Sequence, residues 1–333
     1  MLARVLSWFR PRRAPVVPRD PVAVAPVVSR PTPQTIMDVL REQVEIGPEI
    51  PTALPDGVAQ LAETVFARAY DAPAPPSFPS VATRVLALAR DPDADINQIV
   101  GAVQRDAAIA SALLRIANST FFAGGEPATS LRAAVQKIGI LQVVEIVLGH
   151  AGRSYYQLAS PEEIALFPNV WSTLADEGMA NGFTAGRLAL DLPGSRGERA
   201  LIGGLLSEIG RPIALRVLGA MVLEGAPHYD DETVLATLDE ISPAVGARAI
   251  SRMNLPGDVA SACASEGELD IDARIAQLVA AIAAMQRRGC RVWRNANHVN
   301  THAEQLKLQP LVVRAQFAQR LAYVDQARRM FAV

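Results

Sequence analysis

Between Asp106 and Ser119 the chain reads Asp-Ala-Ala-Ile-Ala-Ser-Ala-Leu-Leu-Arg-Ile-Ala-Asn-Ser. Within it Ile109, Ala112, Leu113, Ile116 and Ala117 recur at the i, i+3, i+4, i+7, i+8 spacing of one helix face. Asp106 suits the N-cap, where a carboxylate accepts from the first free backbone N–H groups. The same design stands on both sides. Asp95 precedes Ile96, Ile99, Val100 and Val103, and Ser130 precedes Leu131, Ala134, Val135 and Ile138. Helices this short are marginal alone, so three capped, one-faced helices in a row must share a core with each other and with later parts of the chain.

Composition agrees with a helical core. The chain has 333 residues, enough for one or two domains, and is 50% hydrophobic but only 5% aromatic. Ala and Leu dominate, which suits closely packed helices, and no run of period-2 alternation is long enough to need a sheet. An all-α fold is expected. A net charge of −2 gives nucleic acid or an anionic membrane no global attraction. Cys263 and Cys290 form no Cys-x-x-Cys pair, which fits a reduced cytoplasmic setting with each as a small core or surface residue. No apolar run approaches the roughly 18 to 20 residues of a membrane span. Residues 1–13 carry Leu2, Val5, Leu6, Trp8 and Phe9 beside Arg4, Arg10, Arg12 and Arg13. They read as a frayed terminus, with a membrane-surface scaffold as the alternative.

Organisation follows from composition shifts and periodicity. Residues 1–34 form a Pro/Arg-rich segment expected to be disordered, and 35–74 a small helical appendage with patterns at Ile36 and Val58. The main body is expected over 75–282 and a C-terminal helical extension over 283–333. Beyond the trio, helices are expected over Leu141 to Tyr155, from Pro161 unbroken to Leu190, and from Glu198 to Leu218. Others are expected over Asp231 to Arg252, after Pro256, over Leu269 to Met285, and from Pro310 with Val313, Phe317, Leu321 and Val324 on one side.

Read in order, one set of residues resembles the HDOD family, the HD-related output domain of bacterial signalling proteins. It runs from Pro79 with Val81, Val85, Leu86 and Leu88 through Asp91-Pro92-Asp93, Ile99 and Asp106. It continues through Leu113-Leu114-Arg115-x-x-Asn118-Ser119, Ser130, Ala134 and Ile138-Gly139. The family's usual Pro after the aspartate is Ala107 here, and both suit a first helical turn. The resemblance implies a compact multi-helix domain. It also implies a regulatory role near cyclic-di-GMP enzymes, histidine kinases or motility systems.

The resemblance also sets a test for chemistry. The related HD phosphohydrolases need a metal held by His and a His-Asp pair, with an activated water attacking phosphorus. The pair falls here on Ser207-Glu208, within Gly204-Leu-Leu-Ser-Glu-Ile-Gly210; the earlier His falls near Thr173, and the later ones on Ser242 and near Glu266-Gly267. The four histidines, His150, His228, His298 and His302, lie elsewhere. No catalytic residue, metal ligand or cofactor is therefore expected. Ser207 and Glu208 read as a relict, partly solvated groove, with Glu208 capping or pairing with Arg211. The surfaces expected to meet a protein partner, or a nucleotide, are this groove with Thr173, Ser207, Glu208 and Arg211, and the helix end at Arg115 and Asn118. Asn118 is first a helix cap. The alternative is a degenerate metal-dependent phosphohydrolase with Glu208 as a remaining ligand. Arg287, Arg288, Arg291 and Arg294 around Trp293 read as a solvated helix end rather than a nucleic-acid or acidic-protein contact. No Gly-x-x-x-x-Gly-Lys-Ser/Thr, Gly-x-Gly-x-x-Gly or Gly-x-Ser-x-Gly motif is present.

Overall fold

The computed structural model describes residues 57–323 other than 73–75, 77, 92, 120–125, 158, 288–291, 310, 314, 316–319 and 321, and only the backbone of 292–297. The expectations for residues 1–13, the linker, the helix at Ile36, Cys290, Arg288, Arg291, Phe317, Leu321 and Val324, and the side chains of Trp293 and Arg294, lie outside the described residues. Among the described residues there are fourteen helices and no strand.

Helix α1 is Val58–Asp71 and α2 is Ser80–Arg90. The capped trio forms as α3 (Ile96–Val103), α4 (Ala107–Ala117) and α5 (Leu131–Ile138). Asp95 accepts from Gln98 N and the Gln98 side chain returns the bond, a full capping box; Asp106 accepts from Ala108 and Ile109, and Ser130 from Ala133. Ile109, Ala112, Leu113, Ile116 and Ala117 are all buried, so the stripe read from the sequence is the buried face. The trio packs with α6 (Ile140–Tyr155), which also lies against α2.

Two expected long helices are broken. The segment from Pro161 is α7 (Pro161–Leu166) and α8 (Pro168–Ala189), because Phe167 leaves the helix at φ −137°, ψ 58° and Pro168 starts the next one. The segment expected over Glu198 to Leu218 is α9 (Gly197–Leu206) and α10 (Gly210–Leu223), separated by Ser207, Glu208 and Ile209. Pro212 lies in the first turn of α10, where its missing N–H costs nothing. Next come α11 (Asp231–Arg252), α12 (Gly257–Ala262), α13 (Ile271–Gln286) and α14 (Val292–Gln305), the last within the stretch expected as a helical extension but without bounds read from the sequence.

The closest pairing is α8 with α9. A Cβ on Gly204 would stand 2.5 Å from the Asn181 carbonyl oxygen, so glycine is what lets the two backbones touch. Gly210 is held the same way against the Ser242 carbonyl, which fixes α10 on α11. One apolar core runs from α1 to α12, and a second joins Ala185 and Leu188 of α8 to Ile275, Leu278 and Ile282 of α13 and to Val299, Ala303, Leu306 and Val313. No described helix is long and apolar enough to cross a membrane.

Candidate functional site: a buried carboxylate and guanidinium cluster

The break between α9 and α10 builds the site. Ile209 N donates to Leu206 O at 3.1 Å and Arg211 N to Glu208 O at 3.0 Å, two tight turns in succession. The Ser207 hydroxyl donates back to Gly204 O at 2.7 Å, a helix-end bond. This geometry turns Glu208 inward. With Gly210 pressed on Ser242, the side chain of Glu208 meets Arg211 and, at the end of α13, Arg287, whose guanidinium also reaches Glu177 on α8 and Asp239 on α11.

Arg287 grips Glu208 with both ends of its fork. Nη1 lies 3.0 Å from Oε2 and Nη2 donates to Oε1 at 3.1 Å. The same guanidinium has Nη1 3.1 Å from Glu177 Oε2 and Nε 3.4 Å from Asp239 Oδ1. Arg211 pairs with Asp239, and its Nε lies 3.5 Å from Glu208 Oε2. Between Arg287 and Glu208, Nη2 to Oε1 is the hydrogen bond, and Nη1 to Oε2 is a close charge contact outside hydrogen-bond geometry. Behind it Arg320, also buried, donates from Nε to Asn181 Oδ1 at 3.0 Å and from Nη1 to Gln286 Oε1 at 2.9 Å. Burial holds the Arg320 guanidinium below the usual arginine range, while Glu177 pulls it back up. Three carboxylates thus surround Arg287 and Arg211, with Arg320 near enough to feel Glu177 and Glu208. Tyr156 seals one side, its hydroxyl donating to Leu205 O at 2.6 Å; burial, then Glu208 and Glu177, push the phenol above its ordinary value and keep it a donor.

Side-chain exposure is 2% for Arg211, 8% for Glu208, 11% for Arg287 and 13% for Asp239, against 22% for Glu177, so the cluster opens to solvent on the Glu177 side. The expected pairing of Glu208 with Arg211 is present. Of the pair expected to be partly solvated, Ser207 is half-buried but Glu208 is buried against Arg211 and Arg287. Thr173 stays exposed with its hydroxyl on Val170 O, and Glu177, one turn later on the same helix, is the residue that reaches the cluster. Arg287 is not on a solvated helix end; it is the centre of the cluster.

The second expected surface lies apart, on α4, which packs with α3, α5 and α6. Arg115 is exposed there. Asn118 sits at the C-cap, where its backbone N–H bonds the last carbonyls of α4, while its side chain bridges to Ala128, donating to its O at 3.0 Å and accepting from its N at 2.7 Å. Glu177, Asp239 and Arg320 were not anticipated; the only sequence signal was Glu177 four residues after Thr173.

The donor set does not fit the metal of an HD phosphohydrolase. The three carboxylates are spent on one guanidinium, and among the described residues no three His, Cys, Asp or Glu side chains are grouped to hold a metal ion. His150 is on α6, His228 is bonded to Leu166 O at 3.1 Å, and His298 and His302 meet in a T-shaped contact on α14. Ser242 spends its hydroxyl on Leu238 O, and Glu266 is exposed on the loop after α12.

Comparison with known proteins places this geometry. An HDOD domain protein with unknown function from Geobacter sulfurreducens has a similar fold, with a TM-score of 0.57 and 16% identity over 81% of this chain and 99% of that one. A protein from Marinobacter aquaeolei VT8 provisionally described as a signal transduction protein gives a TM-score of 0.55 with 21% identity, covering 89% of this chain and 65% of that one. One from Shewanella amazonensis SB2B, provisionally described as a metal-dependent phosphohydrolase, gives 0.51 with 18% identity over 80% and 99% of the two chains. At these identities the likeness is one of fold. Among curated proteins, an uncharacterized protein of Treponema pallidum (strain Nichols) is 22% identical over 197 residues, 55% of this chain but only 36% of that protein. The HDOD domain model matches residues 76–267, more than half of the chain, and on that match the chain belongs to the HDOD domain family.

Proposed function

We propose that the chain is a non-catalytic, cytoplasmic signalling module that docks a separate protein and relays its regulatory state. The observation that carries this is the Arg287 fork on Glu208: the carboxylate that would serve as a remaining metal ligand is already neutralised by guanidiniums. The pathways that the family resemblance suggests are cyclic-di-GMP turnover, histidine-kinase signalling and motility. The provisional signal-transduction description of the Marinobacter neighbour points the same way.

The test is metal analysis of the purified full-length protein together with turnover assays on cyclic dinucleotides. The reading expects substoichiometric metal and no hydrolysis. Stoichiometric metal with turnover that disappears in Glu208→Ala establishes the phosphohydrolase instead. Residues 1–13 are tested separately by liposome flotation of full-length and truncated protein; flotation of the full-length protein alone assigns them a membrane-surface role.

A further inference from the structure

We propose that His298 and His302 form a surface site for a late divalent transition ion, with Zn2+ as its simplest occupant. The pair lies on α14, apart from the Glu208 cluster, and its chemistry is independent of the docking groove.

Residues four apart on a helix stand one above the other on the same face, and two histidines so placed can offer both imidazoles to one ion. Val299, Ala303 and, just past the end of α14, Leu306 are buried in the second core and hold this helix on α13. That buried face sets the neighbouring stripe at the margin of the interface, where His298 is exposed and His302 half-buried. The two rings already meet there, with centroids 6.3 Å apart and planes at 74°.

Both imidazoles are also unspent. Among the described residues neither has a hydrogen-bond partner, whereas His228 is tied to Leu166 O. Nδ1 of His302 is buried without a partner, which leaves Nε2 as the nitrogen toward solvent. Burial, then the charges of His298 and Arg274, hold His302 below the ordinary histidine value, so its ring is neutral near pH 7 and keeps the lone pair that an ion needs. Arg274, the cation that faces the pair from α13, is engaged by Gln305. Imidazole suits zinc, copper and nickel, whereas magnesium and calcium take oxygen ligands. With two protein ligands, the remaining positions belong to water or to a group from outside, the open kind of site, which gives up its ion to a chelator.

Calorimetric titration of the EDTA-stripped full-length protein with ZnCl2 at neutral pH tests this. A single ion per chain is expected. His298→Gln, at an exposed position, should weaken binding by about 100-fold, because the second imidazole no longer acts at the high effective concentration set by the first. Glu208→Gln should bind as the wild type does. NMR of the histidine rings should show His298 and His302 shifting with added ZnCl2 while His150 and His228 stay in place. NiCl2 should act as ZnCl2 does, and MgCl2 should not. No binding by the wild type, equal binding by His298→Gln, an equal response to MgCl2, or movement of His150 or His228 in place of the α14 pair overturns the proposal. Zinc binding that is lost in Glu208→Gln together with turnover of a cyclic dinucleotide overturns this proposal and the non-catalytic reading at once. Turnover by a protein whose zinc follows His298 sinks the non-catalytic reading and leaves this site standing.

Discussion

The Arg287 guanidinium holds both carboxylate oxygens of Glu208, at 3.0 and 3.1 Å, across 79 residues of chain. This pair ties the end of α13 to the turn between α9 and α10. Because both partners are largely buried, removing one leaves the other charged and without its solvent.

Glu208→Ala is therefore expected to cost about 3 to 5 kcal/mol in denaturant unfolding, well above the value for a surface ion pair. Replacing Glu208 and Arg287 together by Leu and Met should recover much of that loss, since an apolar pair needs no solvation. A double variant no more stable than Glu208→Ala would show that the cost lies in packing and not in stranded charge.

Glu145, buried on α6, has its carboxyl pushed up to about 8 by desolvation and then by the neighbouring charge of Glu198. The sign comes from proton binding: the folded protein keeps a proton that the unfolded chain releases near the ordinary glutamate value of 4.5. Stability should fall as pH rises from about 4.5 to about 8, by on the order of 3 to 5 kcal/mol, and level off above. Glu145→Gln should flatten that slope. An unchanged pH profile in the Gln variant would remove Glu145 as its source.

Asn118→Ala loses both bonds to Ala128, and the side chain is open to water, so a loss of about 1 kcal/mol is expected, with faster amide exchange at Ala128. Arg115→Ala, exposed on the same helix, should stay within about 0.5 kcal/mol. If the two variants were equally stable, the loop closure assigned to Asn118 would be wrong.

Gly210→Ala is the severe small change. Its methyl group would drive into the Ser242 carbonyl and the Gly246 amide, both backbone, which cannot swing aside. A loss of about 3 kcal/mol is expected by thermal or chemical unfolding, larger than the glycine-to-alanine gain of an open helix site. A neutral outcome would mean that α10 and α11 can separate freely.

Much of the fold was legible because its helices announce themselves locally. Asp95, Asp106 and Ser130 each sit directly before an apolar stripe, and all three cap a helix. The breaks were harder to see. Apolar spacing continues across Phe167 and across Ser207 to Ile209 and hides both breaks, although Pro168 and Pro212, neither of which fits a helix interior, each stand in the first turn of the following helix. The site was half legible. Glu208 and Arg211 are neighbours on one turn and could be paired by eye, but Arg287 finds its carboxylates 79 and 110 residues upstream. Its basic neighbours in sequence made it look solvated, and no local pattern reports on partners that distant.

The glycine contact between α8 and α9 has a mechanical meaning. With Gly204 resting directly on the Asn181 carbonyl, no layer of side chains lies between the two backbones there to cushion a sliding motion. The two helices must travel together, as one stiff lever whose far end carries Glu208.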